Sequence, residues 1–321
     1  MNKLIYVFVP VILLFVGLLI FMPVRMITMV KKSVKIGEIN IHTESFGDIA
    51  DPAFLLISGA GASARFWTDS FCKQLSKLGY FVIRFDNRDT GLSSGIDFEN
   101  KPYALSDLTD DAIKILDAYH IEKAHVVGHS MGGYIAQDIA LRYPRRVNSI
   151  IVISAGPIGI IEGVDLTLTS NEQAILDKCW KEMLKNKPTQ NFDESLDGFM
   201  GVWKYLNGNF ELDYDLAREY TSDIYFRSKH RVGVAKSHVQ VMEQVYKEMK
   251  KRSHDLALIQ VPTLIIHGSK DPLAVPRIAK ELSKAIKNSR FVLVENMGHM
   301  IFNRGLEEIL AKEISCFVGN L

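Results

Sequence analysis

Residues 126–133 read "VVGHSMGG": the apolar run Ala124–Val127 passes through Gly128-His129-Ser130-Met131-Gly132 directly into "GGYIAQDIALR" (132–142), a stretch of helical character that stops before Pro144. A strand, a G-x-S-x-G sequence and a helix in that order describe a nucleophile elbow. A hydroxyl at the tip of so sharp a turn needs strained backbone angles and close chain approach, and the flanking glycines Gly128 and Gly132 remove the Cβ atoms that would forbid both. The turn also puts Ser130 at a helix start, where backbone N–H groups are free to face negative charge. Ser130 is therefore the candidate nucleophile.

A neutral serine is a weak nucleophile; it needs a base, and the base needs an orienting acid. Two later apolar runs end in suitable loops. Pro262–His267 ("PTLIIH") is followed by "GSKDPL", which holds Asp271; Phe291–Val294 is followed by "ENMGHM", which holds His299. Both residues fall at strand C-terminal ends, the edge where an open α/β sheet collects its chemistry. The chain has nine histidines. Of these His267 is the nearest rival for the base, but it ends a strand and precedes the acid, while His129 points away from Ser130 across the elbow. Glu295, and after it Asp255, compete with Asp271 for the acid. His125 and His129 are four apart, but across a strand and a turn rather than on one helix face, so they make no metal pair. No metal and no cofactor is expected.

The same alternation of apolar runs and helical stretches extends outward. Ser33–Asn40 and Ile41–Phe46 read as a first pair of strands, Ala53–Ile57 and Tyr80–Phe85 as buried strands, and Val147–Ile153 as another; helices are expected over Arg65–Leu78, Asp107–Tyr119, Arg277–Lys287 and Gly305–Val318. That is a mostly parallel sheet with helices on both faces. Between about 156 and 259 the strand rhythm ceases, and helical blocks such as "NEQAILDKCWKEMLKN" (171–186) and "SHVQVMEQVYKEMKK" (237–251) replace it. The domain expectation is thus a sheet core over 33–155 and 260–321, interrupted by a helical cap or lid over 156–259. Trp180, Met183, Phe199, Met200, Trp203, Tyr205 and Tyr225 enrich the cap in large apolar groups, either to line a site for an apolar substrate or simply to pack its helices.

Leu4–Val24 ("LIYVFVPVILLFVGLLIFMPV") carries no charge and is long enough to span the roughly 30 Å hydrocarbon layer. It reads as a transmembrane helix anchoring residues 4–24 in a membrane. A cleaved signal peptide is the rival, but the small-residue cleavage site it needs is missing, since no alanine precedes Ala50. Arg25, Lys31, Lys32 and Lys35 after the span favour a cytoplasmic catalytic domain, whereas the short positive head at Lys3 is how an exporting segment begins; the side stays open. Lys+Arg 38 against Asp+Glu 37 gives a net charge of +1, which offers no global field for nucleic acid. Cys72, Cys179 and Cys316 are too few and too scattered for a disulfide framework or a thiolate metal cluster. Nothing in the sequence fixes an oligomeric state.

"GHSMGG", "HGSKDPL" and "MGHM", in this order, resemble the α/β-hydrolase superfamily over about 35–321. Within it, "FDNRDTGLSS" (85–94) followed by 110–144 is similar to the aclacinomycin methylesterase-like branch of serine esterases. The resemblance implies an eight-stranded type of mostly parallel sheet with a helical cap, and a triad of Ser130, Asp271 and His299. It also implies two oxyanion-hole donors, the backbone N–H groups of Met131 and of Ala60. Ala60 lies in "SGAGAS" (58–63), where many relatives have His-Gly-x and this chain has Ser58-Gly59-Ala60. Asp86 and Arg88 match a part of the pattern that shapes a loop. The implied reaction is cofactor-free hydrolysis of a small-molecule carboxylic ester, apolar or lipid-like, through an acyl-enzyme. The same triad also serves thioesterases, acyltransferases, carbon–carbon bond hydrolases and cofactor-free haloperoxidases, and the same fold carries non-catalytic ligand-binding proteins. A dinucleotide-binding reading of Gly59, Gly61 and Ala64, with Asp86 downstream, fits the G-x-G-x-x-A spacing but leaves Ser130, Asp271 and His299 without a joint role.

Overall fold

The computed structural model describes residues 27–185, 191–228, 236–249, 255–301 and 303–321. Leu4–Val24, the expected membrane anchor, lies outside them; among the described residues no helix is long and apolar enough to cross a membrane.

Eight strands form one sheet: β1 (Met29–Ile36), β2 (Ile39–Phe46), β3 (Ala53–Ile57), β4 (Phe81–Phe85), β5 (Ala124–His129), β6 (Val147–Ile153), β7 (Thr263–Gly268) and β8 (Ser289–Val294), in the spatial order β1-β2-β4-β3-β5-β6-β7-β8. β2 pairs antiparallel with both β1 and β4, and every pairing from β4 to β8 is parallel. The helices of the core are α1 (Asp69–Lys77), α2 (Leu105–Ala118), α3 (Met131–Arg142), α8 (Pro276–Ala285) and α9 (Arg304–Val318). Four more, α4 (Ser170–Lys185), α5 (Phe192–Leu206), α6 (Tyr214–Arg227) and α7 (Lys236–Glu248), come between β6 and β7.

The central strands are uninterrupted apolar runs because both of their faces are covered. Alternate residues serve opposite faces: Leu55, Ile57, Val126, Ile150 and Val152 pack with α2, α3 and α8, while Phe54, Leu56, Val127, Ile151 and Ile153 pack with α1 and α9. The cap divides between the two clusters. Val241 and Val245 of α7 join the first, and Val202 and Leu206 of α5 with Tyr220 and Ile224 of α6 join the second.

Most element boundaries shift by a few residues from the sequence expectation, and two of the shifts have a plain backbone cause. The first strand ends at Ile36, not Asn40, because Gly37 has φ +59° and turns the chain so that Ile36 pairs with Ile39. The helix expected from Arg65 is in two pieces. Ala64–Phe66 is a single tight turn, and α1 begins afresh after Thr68, whose hydroxyl accepts from Phe71 N–H at 3.0 Å.

At the antiparallel end of the sheet lies a buried charge cluster. Arg84 of β4 donates through Nε to Glu44 Oε2 at 2.9 Å and also pairs with Asp69. Burial pushes the Glu44 carboxyl up, but His42, Arg84 and Arg65 together hold it down to about 2. Arg227 at the end of α6 reaches the same cluster, 3.1 Å from Asp86 and 3.6 Å from Glu44, and so ties the cap to the sheet. Removing one partner from such a buried set strands the others. Glu44→Ala is expected to cost about 3 kcal/mol of unfolding free energy, since Asp69 still partners Arg84; a urea midpoint equal to that of the parent protein would refute this account of the cluster.

Candidate active site

Ser130 follows the last residue of β5 and has φ +52°, ψ −119°. This is a left-handed conformation that a residue with a Cβ adopts only under constraint, at about 1–3 kcal/mol. Its backbone is held on both sides: Ser130 N–H donates to Ile153 O at 2.9 Å, and its carbonyl accepts from Gly133 N–H at 2.8 Å. The glycines are required by contact. A Cβ at Gly128 would lie 2.0 Å from Gly132 O, and one at Gly132 would lie 2.2 Å from Ile57 O. The start of α3 is thereby pressed against the end of β3, and Ser130 faces the loop that follows β3.

The candidate acid, Asp271, and the candidate base, His299, lie in the loops after β7 and β8. His299 Nδ1 is 2.8 Å from Asp271 Oδ2, with both side chains buried. The other carboxylate oxygen of Asp271 accepts from Leu273 and Ala274 N–H at 2.9 and 2.8 Å. Burial pushes the Asp271 carboxyl up, but the His299 ring, His267 and the Ala274 N–H together hold it down to about 2. A carboxylate beside Nδ1 requires the proton there, which leaves Nε2 of His299 to accept. Ala60, Ser130, Met131 and His299 all border a single cavity of about 640 Å³.

The rival residues have other places. His267 does not border the cavity; its Nε2 donates to Ala274 O at 3.0 Å and lies 3.6 Å from Asp271, behind the acid. Glu295 is exposed. The ring of His125 is bonded to Ser149 Oγ at 2.7 Å, and among the described residues no group of three His, Cys, Asp or Glu could hold a metal ion. His129 borders the cavity beside Ser130, but its ring is engaged elsewhere. Its Nε2 donates to the backbone carbonyl of His299 at 2.8 Å, a tie across the site that nothing in the local sequence signals. Ser58 Oγ donates to Ser63 O at 3.0 Å and closes the loop that carries Ala60.

The loop that carries His299 is also stitched to the cap. His299 and Met300 N–H both donate to Leu206 O, at 2.6 and 3.1 Å, and a Cβ at Gly298 would lie 2.1 Å from that same carbonyl oxygen. Cap helices form much of the cavity wall through Trp180, Met183, Phe199, Trp203, Tyr220 and Met242, with Glu243 the charged cap residue on its border. Of the large apolar cap groups, Met200, Tyr205 and Tyr225 are not on that border; Tyr225 packs on Phe192 instead, ring centroids 5.2 Å apart.

Comparison with known proteins agrees with this architecture. The alpha/beta hydrolase fold family model matches residues 52–305. Rhodomycin D methylesterase DauP of Streptomyces sp. (strain C5) is 34% identical over 87% of this chain and 93% of its own length. Rhodomycin D methylesterase DnrP of Streptomyces peucetius is 33% identical over the same shares. Among solved structures, a bacterial membrane phospholipase A superposes with a TM-score of 0.71 at 22% identity, covering 91% of this chain and 86% of that one, a likeness of fold.

Four buried histidines are kept neutral by burial: His125 and His238 are pushed down to about 4, His129 to about 3, and His267 is lowered as well. A histidine whose folded-state pKa lies below its unfolded value of 6.5 stabilises the fold fully above that value, and the contribution is lost as pH falls toward the folded-state pKa. Between pH 6.5 and 5 the carboxylates of Glu44 and Asp271 stay largely ionised in both states, so this window belongs to the histidines. Unfolding free energy is expected to fall there by on the order of 1 kcal/mol per pH unit for each histidine. Urea titrations at pH 7, 6 and 5 check it; identical midpoints would contradict neutral burial.

Proposed function

The chain belongs to the alpha/beta hydrolase fold family, and from that premise we propose that it is a serine esterase acting through Ser130, His299 and Asp271 on a carboxylic ester of an apolar small molecule or lipid. The observation that carries the reading is the 2.8 Å bond between His299 Nδ1 and Asp271, in a cavity that Ser130 also borders. With Nδ1–H committed to Asp271, Nε2 accepts the Ser130 proton as the hydroxyl oxygen attacks the ester carbonyl. The carbonyl oxygen becomes an oxyanion and is stabilised by the N–H groups of Ala60 and Met131. Collapse expels the alcohol, which takes the proton back from His299. Water, activated by the same imidazole, then releases the carboxylic acid. Asp271 stays ionised throughout and stabilises the imidazolium that forms at each step.

The wall of the cavity supports the substrate class. Trp180, Phe199, Trp203 and Met242 offer apolar surface, which gains free energy from an acyl chain or ring system and little from a charged one. The relatives named as methylesterases support an ester with a small alcohol as leaving group. The uncharged run Leu4–Val24 supports anchorage of the enzyme at a membrane, where such esters concentrate. Cell fractionation tests the anchor: the full chain should stay in the membrane pellet after carbonate washing, and a chain lacking residues 1–26 should leave it. Recovery of both in the same fraction would exclude it.

Ser130→Ala and His299→Ala should each lower kcat/KM on a short p-nitrophenyl ester by roughly 10⁴-fold or more, and Asp271→Asn by about 10⁴-fold, with little change in melting temperature for Ser130→Ala. Unchanged turnover in any of the three would sink the assignment of that residue.

A further inference from the structure

One cap residue reaches the loop on which the proposed oxyanion donor sits. His238, on α7, is fully buried, and its ring joins two loops of the sheet core. Nδ1 accepts from Gly61 N–H at 2.9 Å, and Nε2 donates to the carbonyl of Arg88 at 2.9 Å. A carbonyl can only accept and an amide N–H can only donate, so the two partners fix the neutral, Nε2-protonated tautomer. Burial supports that state by pushing the ring down to about 4, with the Asp89 carboxylate and the Arg88 carbonyl raising it and the Arg88 guanidinium lowering it.

Gly61 follows Ala60 directly. It has φ +70° and occupies the third position of a turn that Ala62 N–H closes on Gly59 O at 3.2 Å. A glycine in that conformation has a second basin of similar energy available to it, so the Ala60–Gly61 peptide is the least constrained plane of the loop. The bond from Gly61 N–H to His238 fixes that plane, which adjoins the Gly59–Ala60 peptide that carries the Ala60 N–H, so the loop is held one peptide away from the proposed donor.

The loop over Phe85–Ser94, whose sequence reads as a shape-forming segment, supplies the other half of the device. Asp86 binds Ala64 and Leu92 N–H at 2.7 and 2.9 Å, and Arg88 forms a two-pronged pair with Asp111 at 2.8 Å. The loop so held presents the Arg88 carbonyl to His238 and the Asp89 carboxylate to Ser237 and Tyr103, at 2.8 and 2.6 Å. The ring of Tyr103 stands edge-on to His238, centroids 6.3 Å apart. The start of α7 is thus seated on the core by polar contacts that all converge beside the Ala60 loop.

We propose that His238 is a positioning residue that sets the oxyanion loop from the cap, so that seating of the cap and completion of the oxyanion hole are one event. The inference rests on the reading of Ala60 N–H as an oxyanion donor. Two substitutions separate its bonds. In His238→Asn the amide oxygen stands where Nδ1 was and still accepts from Gly61, while the Arg88 bond is lost. In His238→Gln the longer side chain reaches Arg88, but no acceptor faces Gly61.

With the full-length protein and a p-nitrophenyl ester, His238→Gln should lose about tenfold to hundredfold in kcat with KM within about twofold, and His238→Asn should keep kcat within a few-fold at a similar melting temperature. Equal kcat in the glutamine variant and the parent, or equal losses in both variants that follow their melting temperatures, would overturn the positioning role and reduce His238 to packing. If the parent protein shows no hydrolysis that Ser130→Ala abolishes, the active-site reading itself falls, a result distinct from either. Should a variant fail to fold, the parent protein answers by nitrogen NMR: the His238 Nδ1 resonance should be that of an unprotonated nitrogen and should move when a phosphonate occupies Ser130. A resonance that stays in place overturns the proposal.

Discussion

Everything at the active edge depends on how closely three backbone segments approach at the elbow. Ser130 keeps a left-handed conformation only because α3 begins almost in contact with the end of β3 and with its own approach strand, and that proximity exists only where Gly128 and Gly132 have no side chains. The strain is local, yet its support is spread widely: β6 holds the amide of Ser130, and Gly133 holds its carbonyl. Because β5 lies between β3 and β6 in the sheet, the tip of the elbow is enclosed by the loops of its neighbours. The loop after β3, with Gly59 and Ala60, therefore faces Ser130 as a consequence of strand order.

The charge arrangement follows the same economy of space. Next to the proposed nucleophile stands one ionised carboxylate, Asp271, fully provided with donors. Its immediate neighbours His129 and His267 are kept uncharged by burial and are used as rigid hydrogen-bonding bodies instead. A second cationic ring in that volume would compete for Asp271. Two neutral imidazoles hold the Asp271 and His299 loops in place without doing so. Another set of paired charges, Arg84 with Glu44 and Asp69 and Arg227 with Asp86, lies at the antiparallel end of the sheet.

The catalytic candidates were legible in the sequence because each ends an apolar run, and a run that stops at a glycine or a short polar loop marks where a strand opens onto the sheet edge. Ser130, Asp271 and His299 all announce themselves in this way. The roles of His129, Leu206 and His238 could not be read so. Each acts by touching a segment far along the chain, and a histidine in a cap helix has the same local pattern whether it fills a core or holds a loop. The boundary shifts at Gly37 and Thr68 have the same origin at shorter range. A lone glycine at Gly37 and a threonine at Thr68 redirect the chain through single backbone contacts that hydropathy does not register.

Leu206 O accepts from both His299 and Met300, and this has a bearing on how such proteins can be recombined. The helical insertion enters after β6 and leaves before β7, so it has the outline of an exchangeable module. Backbone contact between the end of α5 and the loop after β8 makes that outline misleading. A chimera that keeps the two junctions but imports a different helix end would deprive the histidine loop of its acceptor, and would crowd Gly298 wherever the incoming chain lay closer. Lineages that diversify their substrates by replacing this insertion must therefore inherit the end of α5 and the histidine loop together, as one unit separated in sequence but continuous in space.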